Sequence, residues 1–190
     1  MRFVLATNNP HKRREFAVLL APHEIVPLGA DVTLAPETGT TFAENALAKA
    51  RTAAAAMSLT AIADDSGIEA AALGGAPGIY SARYAGPQAS DEENLAKLLR
   101  EAPAGSALSY VCAIALVDPG DGSERVFEGR CGGHLAERPR GAGGFGYDPA
   151  FLPDDGPPGR TMAELSASEK DAISHRGRAA RALLDALRTS

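Results

Sequence analysis

The sequence has little cysteine, no tryptophan and no long apolar run. Only two of its 190 residues are cysteine, which excludes a disulfide framework. Cys112 and Cys131 also lack a zinc-binding spacing, so we expect both to be buried thiols. The longest apolar stretch, around 53–57, is far below the roughly 20 residues that a membrane-spanning helix needs.

An excess of basic residues is absent as well. The formal net charge is -5, which argues against a surface that coats nucleic acid. An anionic ligand would therefore need a local basic pocket or a metal. The apolar run 3–6 stops at a polar turn, too early for a secretory signal. With 45% hydrophobic and 23% charged residues, the chain is expected to be a cytoplasmic enzyme or binding protein with one domain over residues 1–190.

Apolar spacing and turn residues predict strands that alternate with helices. A strand over 2–6 precedes a helix over 11–20, and capping boxes at Thr41 and Ser90 predict two further helices. Thr60–Ala63 is a short β run predicted to break at Asp64-Asp65-Ser66-Gly67. Two long strands, over 108–117 and 125–130, flank a turn and predict an antiparallel hairpin, and a helix ends the chain. The pattern indicates an α/β fold around a mixed sheet.

Two segments in the first half carry candidate chemistry. In Thr7-Asn8-Asn9-Pro10-His11-Lys12, a strand runs into a polar turn and a helix N-terminus, which suits phosphate. The alternative is that Asn8 or Asn9 only caps the helix and that Lys12 is solvated. Asp64 and Asp65 would repel each other without a nearby cation, and they are ligands that Mg²⁺ accepts, with Glu37 as a further ligand. The alternative is an Asp-rich turn capped by Ser66.

Two segments in the second half complete the set. In Phe145-Gly146-Tyr147-Asp148, glycine permits close backbone approach, an aromatic ring offers a stacking face and Asp148 an acceptor. A turn with two core aromatics is the alternative. In 168–176, Lys170 could reach phosphate and Arg176 could donate to a carbonyl or phosphate oxygen. A solvated helix face for Lys170 and a structural His175 remain open. Together the four segments predict a nucleotide site.

With these segments, the chain resembles the inosine triphosphate pyrophosphatase family over nearly its whole length. The resemblance rests on ordered motifs: Thr7 to Lys12, Glu37 to Ala46, Ala63 to Gly67, Gly74 to Tyr84, Gly144 to Pro149, and Ser174 to Gly177. It implies an elongated two-lobed α/β fold around a central mixed sheet with flanking helices, an active site in the cleft between the lobes, and a homodimer. The implied reaction is Mg²⁺-dependent hydrolysis of ITP, dITP or XTP to the monophosphate and pyrophosphate, which would cleanse the nucleotide pool.

The resemblance also assigns roles to residues of this chain. It implies that Asp65 is the catalytic proton acceptor and that Glu37 and Asp65 bind Mg²⁺. The triphosphate would be held by Thr7, Asn9 and Lys12, with Lys49 and Lys170 adding charge there. Asn8, which stands where the family commonly has glycine, is also counted as substrate-binding. The nucleoside and base would be held by Ser66, Phe145, Gly146, Tyr147, Asp148, His175 and Arg176. The implied partners are a purine nucleoside triphosphate and a second copy of the chain, without nucleic acid or membrane.

Two other functions compete with this interpretation. A Maf-type nucleotide pyrophosphatase is thought to share the fold, but its opening motif does not match Thr-x-Asn-x-x-Lys. A non-catalytic nucleotide-binding regulator would have no use for the adjacent Asp64 and Asp65. A substrate panel separates the first, and release of pyrophosphate with turnover excludes the second.

Overall fold

The computed structural model describes residues 1–189, and it contains helices and strands in alternation over most of that length. The strands are β1 (Arg2–Leu5), β2 (Glu24–Pro27), β3 (Ala61–Ala70), β4 (Ala107–Val117), β5 (Glu124–Leu135) and β6 (Phe151–Pro153). The α-helices are α1 (Pro10–Leu19), α2 (Phe42–Met57), α3 (Asp91–Glu101), α4 (Ala167–Ile173) and α5 (His175–Arg188). No helix within residues 1–189 is long and apolar enough to cross a membrane.

The strands form one sheet in the order β2-β1-β3-β4-β5-β6. β1 pairs in parallel with both β2 and β3, whereas β6 pairs antiparallel with β5, so the sheet is mixed, as predicted. β1 has a neighbour on each side, and Phe3, Val4 and Leu5 are all buried. Strands covered on both faces read as continuous apolar runs, which is the pattern of this segment. The predicted hairpin is confirmed by the neighbouring β4 and β5, whose turn is closed by a bond from the Asp118 amide to the Ser123 carbonyl.

The contacts divide the chain into two compact units. The first contains Met1–Asp65, Cys112–Gly129 and the chain from Ala179 onward, and the second contains Ser66–Val111 and Arg130–Arg178. Each has its own apolar cluster. That of the first unit is built from Phe3, Leu5, Phe16, Leu20, Ile62, Cys112, Ile114, Leu116 and Leu183. That of the second is built from Ile68, Leu95, Leu98, Leu108, Tyr110, Cys131, Leu135, Phe151 and Met162. Both cysteines are buried, as predicted.

Local capping signals locate the helix starts. Asn9 caps α1 by accepting from the amides of His11 and Lys12, with Pro10 at the first helical position. The capping box at Ser90 is complete in α3. The box predicted at Thr41 is only half formed: Thr41 accepts from the Glu44 amide, but the Glu44 carboxylate accepts from the amide and hydroxyl of Thr40 instead.

The predicted break at Asp64-Asp65-Ser66-Gly67 is wrong, because β3 continues through these residues to Ala70. Successive side chains of a strand point to opposite faces. The Asp64 and Asp65 side chains therefore leave the strand on opposite faces, with Asp64 2.9 Å from Lys12 Nζ and Asp65 3.7 Å from Lys49 Nζ. The same geometry excludes the Asp-rich turn and a helix cap for Ser66. The strands β2 and β6 had no counterpart in the sequence prediction.

Candidate functional site

A lysine in the first turn of α1, Lys12, forms an ion pair with the buried carboxylate of Asp64. Lys12 Nζ lies 2.9 Å from Asp64 Oδ2, with 15% of the Lys12 side chain and none of the Asp64 side chain exposed. A solvated Lys12 is therefore excluded. In the turn, Thr7 Oγ1 accepts from the Asn9 amide while the Asn9 side chain caps the helix, and Asn8 is exposed. The turn presents a helix N-terminus and a nearby positive charge, an arrangement that suits an anion.

Glu37 and Asp65 converge on the ammonium group of Lys49, also in the first unit. Lys49 Nζ lies 2.7 Å from Glu37 Oε1 and 3.7 Å from Asp65 Oδ1. One turn earlier on α2, Asn45 Nδ2 donates to Asp65 Oδ2 over 2.9 Å. Residues at i and i+4 share one face of a helix, so a single face of α2 supplies both partners of Asp65.

Electrostatics set the protonation of this group. Burial is the main cause that raises the pKa of Asp65, with Lys49 acting in the opposite direction. Burial alone would lower the pKa of Lys49, but the charges of Asp64, Asp65 and Glu37 outweigh it and raise that pKa. Lys49 consequently stays charged at neutral pH, and Asp65 holds a proton more readily than an exposed aspartate does.

The donor set of this cluster fits a hard divalent cation. Glu37 and Asp65 supply carboxylate oxygens, and their shared contact with Lys49 shows that a positive charge is favoured between them. Within residues 1–189, no group of three or more His, Cys, Asp or Glu side chains could hold a metal alone. Mg²⁺ usually takes one or two carboxylates and completes its shell with water and phosphate oxygens. The two residues match that pattern.

Asp148 organises the glycine-rich loop of the second unit. Its carboxylate accepts from Tyr110 Oη over 3.0 Å, from Lys170 Nζ over 2.8 Å and from the Phe145 amide over 3.0 Å. Gly144 must be glycine here, because its φ is +70° and a Cβ would lie 2.0 Å from Asp148 Oδ2. Asp148 therefore uses most of its acceptor capacity inside the protein. Lys170, which the resemblance groups with Lys49, is joined by the structure to Asp148.

Phe145 is the aromatic ring of this loop that a planar ligand could reach. Its ring is half-buried, with Lys170 Nζ at 5.2 Å and the Arg176 guanidinium carbon at 5.7 Å from the ring centroid. Tyr147 is buried and donates its hydroxyl to the Ser81 carbonyl over 2.7 Å, so it anchors the loop instead. The Gly146 amide donates to the Asp91 carboxylate. A ring flanked by two cations suits a planar and electron-rich group.

Ser66, His175 and Arg176 lie in the same unit. Arg176 Nη2 donates to Ser66 Oγ over 3.0 Å, and Arg176 is only 2% exposed. The His175 ring stacks on Tyr110 at 4.5 Å between centroids with an interplanar angle of 5°. The bond to Ser66 holds one end of the guanidinium group, so that Arg176 can present donors in a fixed direction.

Sequence reasoning assigned no role to Asn45, Tyr110 or Asp91. Asn45 had a usable signal, since it lies one helical turn before Lys49 within a motif of the resemblance. Tyr110 sits within an apolar strand and Asp91 within an acidic first helical turn, and neither pattern reveals a contact with a distant loop.

The chain has an α/β fold. Its first unit contains a cluster of lysines and carboxylates suited to phosphate, and its second unit contains an aromatic ring flanked by cations and suited to a base. These are the two kinds of group that define a nucleotide-binding protein. The particular assignment follows from its relatives. The chain belongs to the Ham1 family, whose family model matches residues 3–186. This confirms the resemblance to the inosine triphosphate pyrophosphatases.

Individual relatives agree with this assignment. The dITP/XTP pyrophosphatase of Yersinia pseudotuberculosis is 50% identical over 196 aligned residues, with 98% of each chain covered. That of Mycolicibacterium paratuberculosis is 55% identical over 159 residues, which cover 82% of this chain and 76% of that protein. A solved structure of a HAM1 protein from Coxiella burnetii superposes with a TM-score of 0.87 at 41% identity and covers all of both chains. The predicted α/β fold is confirmed.

Proposed function

We propose that this protein hydrolyses ITP, dITP and XTP to the monophosphate and pyrophosphate, and so removes deaminated purine nucleotides from the nucleotide pool. The observation that carries the proposal is the convergence of Glu37 and Asp65 on Lys49 in a chain half identical to a dITP/XTP pyrophosphatase. Two carboxylates held at a positive charge are suited to neutralising a triphosphate through a metal and to taking a proton from water.

The triphosphate side of the reaction is assigned to the first unit. The α1 N-terminus with Thr7, Asn8 and Asn9 offers backbone donors, and Lys12 and Lys49 add positive charge. Both lysines are held by carboxylates, so their ammonium groups need little reorganisation to meet phosphate.

The metal side is assigned to Glu37 and Asp65, which would hold Mg²⁺ through carboxylate oxygens. When bound, Mg²⁺ would neutralise phosphate charge and lower the pKa of a nearby water molecule. Asp65 would accept the proton of the water that attacks the triphosphate, and its raised pKa, caused mainly by burial, favours this. Lys49 keeps the two carboxylates together and compensates their charge.

The base side is assigned to the second unit. Phe145 stacks on the base, with Lys170 and Arg176 beside it, and Gly146 allows close approach of the backbone. Tyr147 and Asp148 support the loop through their contacts with Ser81 and with Tyr110. Ser66 and His175 are assigned to the base side as well. Ser66 orients Arg176 by accepting a hydrogen bond from its guanidinium group.

Lys12→Ala should raise KM for ITP on the order of tenfold, the effect of losing one hydrogen bond to a charged group. The lysine contacts phosphate in the ground state and in the transition state alike, so kcat should fall less. Steady-state kinetics measure both constants. Arg13→Ala, which removes the adjacent exposed charge of α1, is the matched control and should leave KM unchanged. Equal KM values for the two variants would contradict a phosphate contact by Lys12.

A coupled phosphate assay tests the whole proposal. With ITP and Mg²⁺, colour from malachite green should develop only when inorganic pyrophosphatase is added, because the product is pyrophosphate. EDTA should abolish the conversion of ITP to IMP, and excess Mg²⁺ should restore it; this is followed by chromatography of the nucleotides, because inorganic pyrophosphatase itself needs Mg²⁺. Phosphate release without the coupling enzyme would contradict the proposal, as would a preference for pyrimidine triphosphates, which would indicate a Maf-type activity. Binding of ITP without turnover would indicate a regulator.

We also propose that the protein acts in the cytoplasm as a homodimer without nucleic-acid or membrane partners. The family resemblance supports the dimer, and the net charge of -5 argues against general binding to nucleic acid. Light scattering coupled to gel filtration measures the mass, and a monomeric mass would contradict the dimer.

A further inference from the structure

Asn45 is a buried amide whose two ends bind two different segments of the first unit. Its Oδ1 accepts from the Gly39 amide over 2.8 Å, and its Nδ2 donates to Asp65 Oδ2 over 2.9 Å. The residue is 1% exposed. A backbone N–H can only donate and an ionised carboxylate can only accept, so these partners fix which end of the amide carries the oxygen.

The contact with Gly39 is close enough to require glycine. A Cβ at Gly39 would lie 2.7 Å from the Glu44 Cβ and 2.8 Å from Asn45 Oδ1. The segment is therefore pressed against the start of α2 and held by the Asn45 side chain. Glu37 lies two residues earlier in that segment, and its carboxylate reaches Lys49 Nζ over 2.7 Å.

The contact with Asp65 determines how that carboxylate is presented. Asn45 takes up Oδ2, while Oδ1 lies 3.7 Å from Lys49 Nζ. A carboxylate tethered at one oxygen cannot rotate freely, so its other oxygen keeps one orientation. Asn45 thus acts on Asp65 directly and on Glu37 through the backbone at Gly39.

We propose that Asn45 is a positioning residue that holds the carboxylates of Glu37 and Asp65 in the arrangement that binds a divalent cation. This rests on the proposed function, which assigns those two carboxylates to Mg²⁺. Partners that orient metal ligands typically contribute 10 to 100-fold to metal affinity or activity, although they never touch the metal.

The chain offers a matched control in Asn94. It is also buried, at 2% exposed, and its Oδ1 accepts from the Ala85 amide over 2.7 Å while its Nδ2 donates to the Ala82 carbonyl over 3.2 Å. Asn94 lies in the second unit and bonds no side chain of the proposed metal site. Replacing it removes a buried amide side chain that also bridges two segments, without touching Asp65.

The experiment compares Asn45→Ala with Asn94→Ala by thermal unfolding, by Mn²⁺ binding followed by EPR, and by ITP turnover. Both substitutions should lower the melting temperature, because each removes a buried amide side chain that accepts from a part-buried backbone N–H. Only Asn45→Ala should weaken Mn²⁺ binding and lower kcat, each by about tenfold or more. Equal Mn²⁺ affinities and equal kcat values in the two variants would overturn the proposal.

Two further variants keep the test decisive if Asn45→Ala does not fold. Asn45→Asp keeps the acceptor for Gly39 but sets a carboxylate oxygen against Asp65 Oδ2, so it should weaken Mn²⁺ binding at least as much. Retention of wild-type affinity in Asn45→Asp would overturn the link to Asp65. Asn45→Ser, with a shorter donor, should give an intermediate loss, and wild-type values there would also overturn the proposal.

The Mn²⁺ measurement also separates this inference from the proposed function. It needs no turnover, so it reports on Asn45 even if the wild-type protein releases no pyrophosphate from ITP. A wild-type protein that hydrolyses ITP while Asn45→Ala binds Mn²⁺ normally would leave the function standing and remove the role of Asn45.

Discussion

Asp65→Asn is expected to lower kcat for ITP by at least ~10²-fold, the usual contribution of one acid-base group. The amide has nearly the same size and still offers an oxygen to Asn45 Nδ2, but it cannot accept a proton from water and binds a cation poorly. Binding of ITP in the presence of Ca²⁺ should survive, because Lys12 and Lys49 remain. Steady-state kinetics and calorimetry measure the two effects separately.

Stability provides an independent check on this variant. Because burial raises the pKa of Asp65, the folded protein holds that proton more tightly than the unfolded chain does. The ionised carboxylate therefore costs folding free energy at pH 7, and that cost decreases as the pH falls through the raised pKa. Asp65→Asn removes this titrating charge, together with one of the carboxylates that compensate Lys49, so the melting temperature should depend less on pH below pH 7 than that of the wild type.

Glu69→Gln is the control from the same strand. Glu69 Oε2 pairs with Arg130 Nη1 at 2.9 Å on the protein surface, and exposed pairs of this kind contribute little to stability. Its kcat should match the wild type. Near-normal turnover in Asp65→Asn, or an equal loss in Glu69→Gln, would contradict the assignment of Asp65 as the proton acceptor.

The second large effect concerns the base, and we expect kcat/KM for ITP to exceed that for ATP by at least ~10²-fold. Hypoxanthine presents a carbonyl at C6, whereas adenine presents an amino group there. Arg176 can only donate, so it pairs with the carbonyl but meets the amino group donor against donor. A buried donor without an acceptor is costly, and Arg176 is 2% exposed.

Arg176→Met should narrow this gap mainly through loss of ITP activity. Arg178→Met is the matched control, since Arg178 lies two residues further along α5 and bonds the Arg130 carbonyl and Asp155 instead. Its ITP to ATP ratio should stay within about twofold of the wild type, as expected for a surface substitution. Comparable efficiencies for ITP and ATP in the wild type would refute a donor-lined pocket. An unaltered ratio of ITP to ATP efficiency in Arg176→Met would assign recognition of the C6 carbonyl to His175 or a loop amide instead.

Local sequence signals predicted the structure correctly where residues within one helical turn or one strand determine it. The sequence located the start of α1 at a polar turn and the complete capping box of α3, because a cap satisfies amides only two or three residues away. It also identified the residue types of the site, since the chemistry of a carboxylate or an ammonium group does not depend on the fold.

Local sequence signals failed where the structure of a segment depends on a partner that is distant in the sequence. Asp64-Asp65-Ser66-Gly67 has the composition of a turn, yet β3 continues through it. Lys12 pairs with Asp64 and Lys49 pairs with Asp65, and a strand whose buried carboxylates meet positive charges need not end. Neither lysine is close to these residues in the sequence.

The sequence by itself determined the family, the α/β alternation and most of the residues with candidate chemistry, because these depend on residue type and short spacing. Only the tertiary structure decided which charges pair. It joined Lys170 to Asp148, placed Asn45 between Gly39 and Asp65, and buried Tyr147 so that Phe145 is the ring left for stacking. The physical reason is that a buried polar group takes whichever partner the packing brings within about 3 Å, and packing joins segments far apart in the chain.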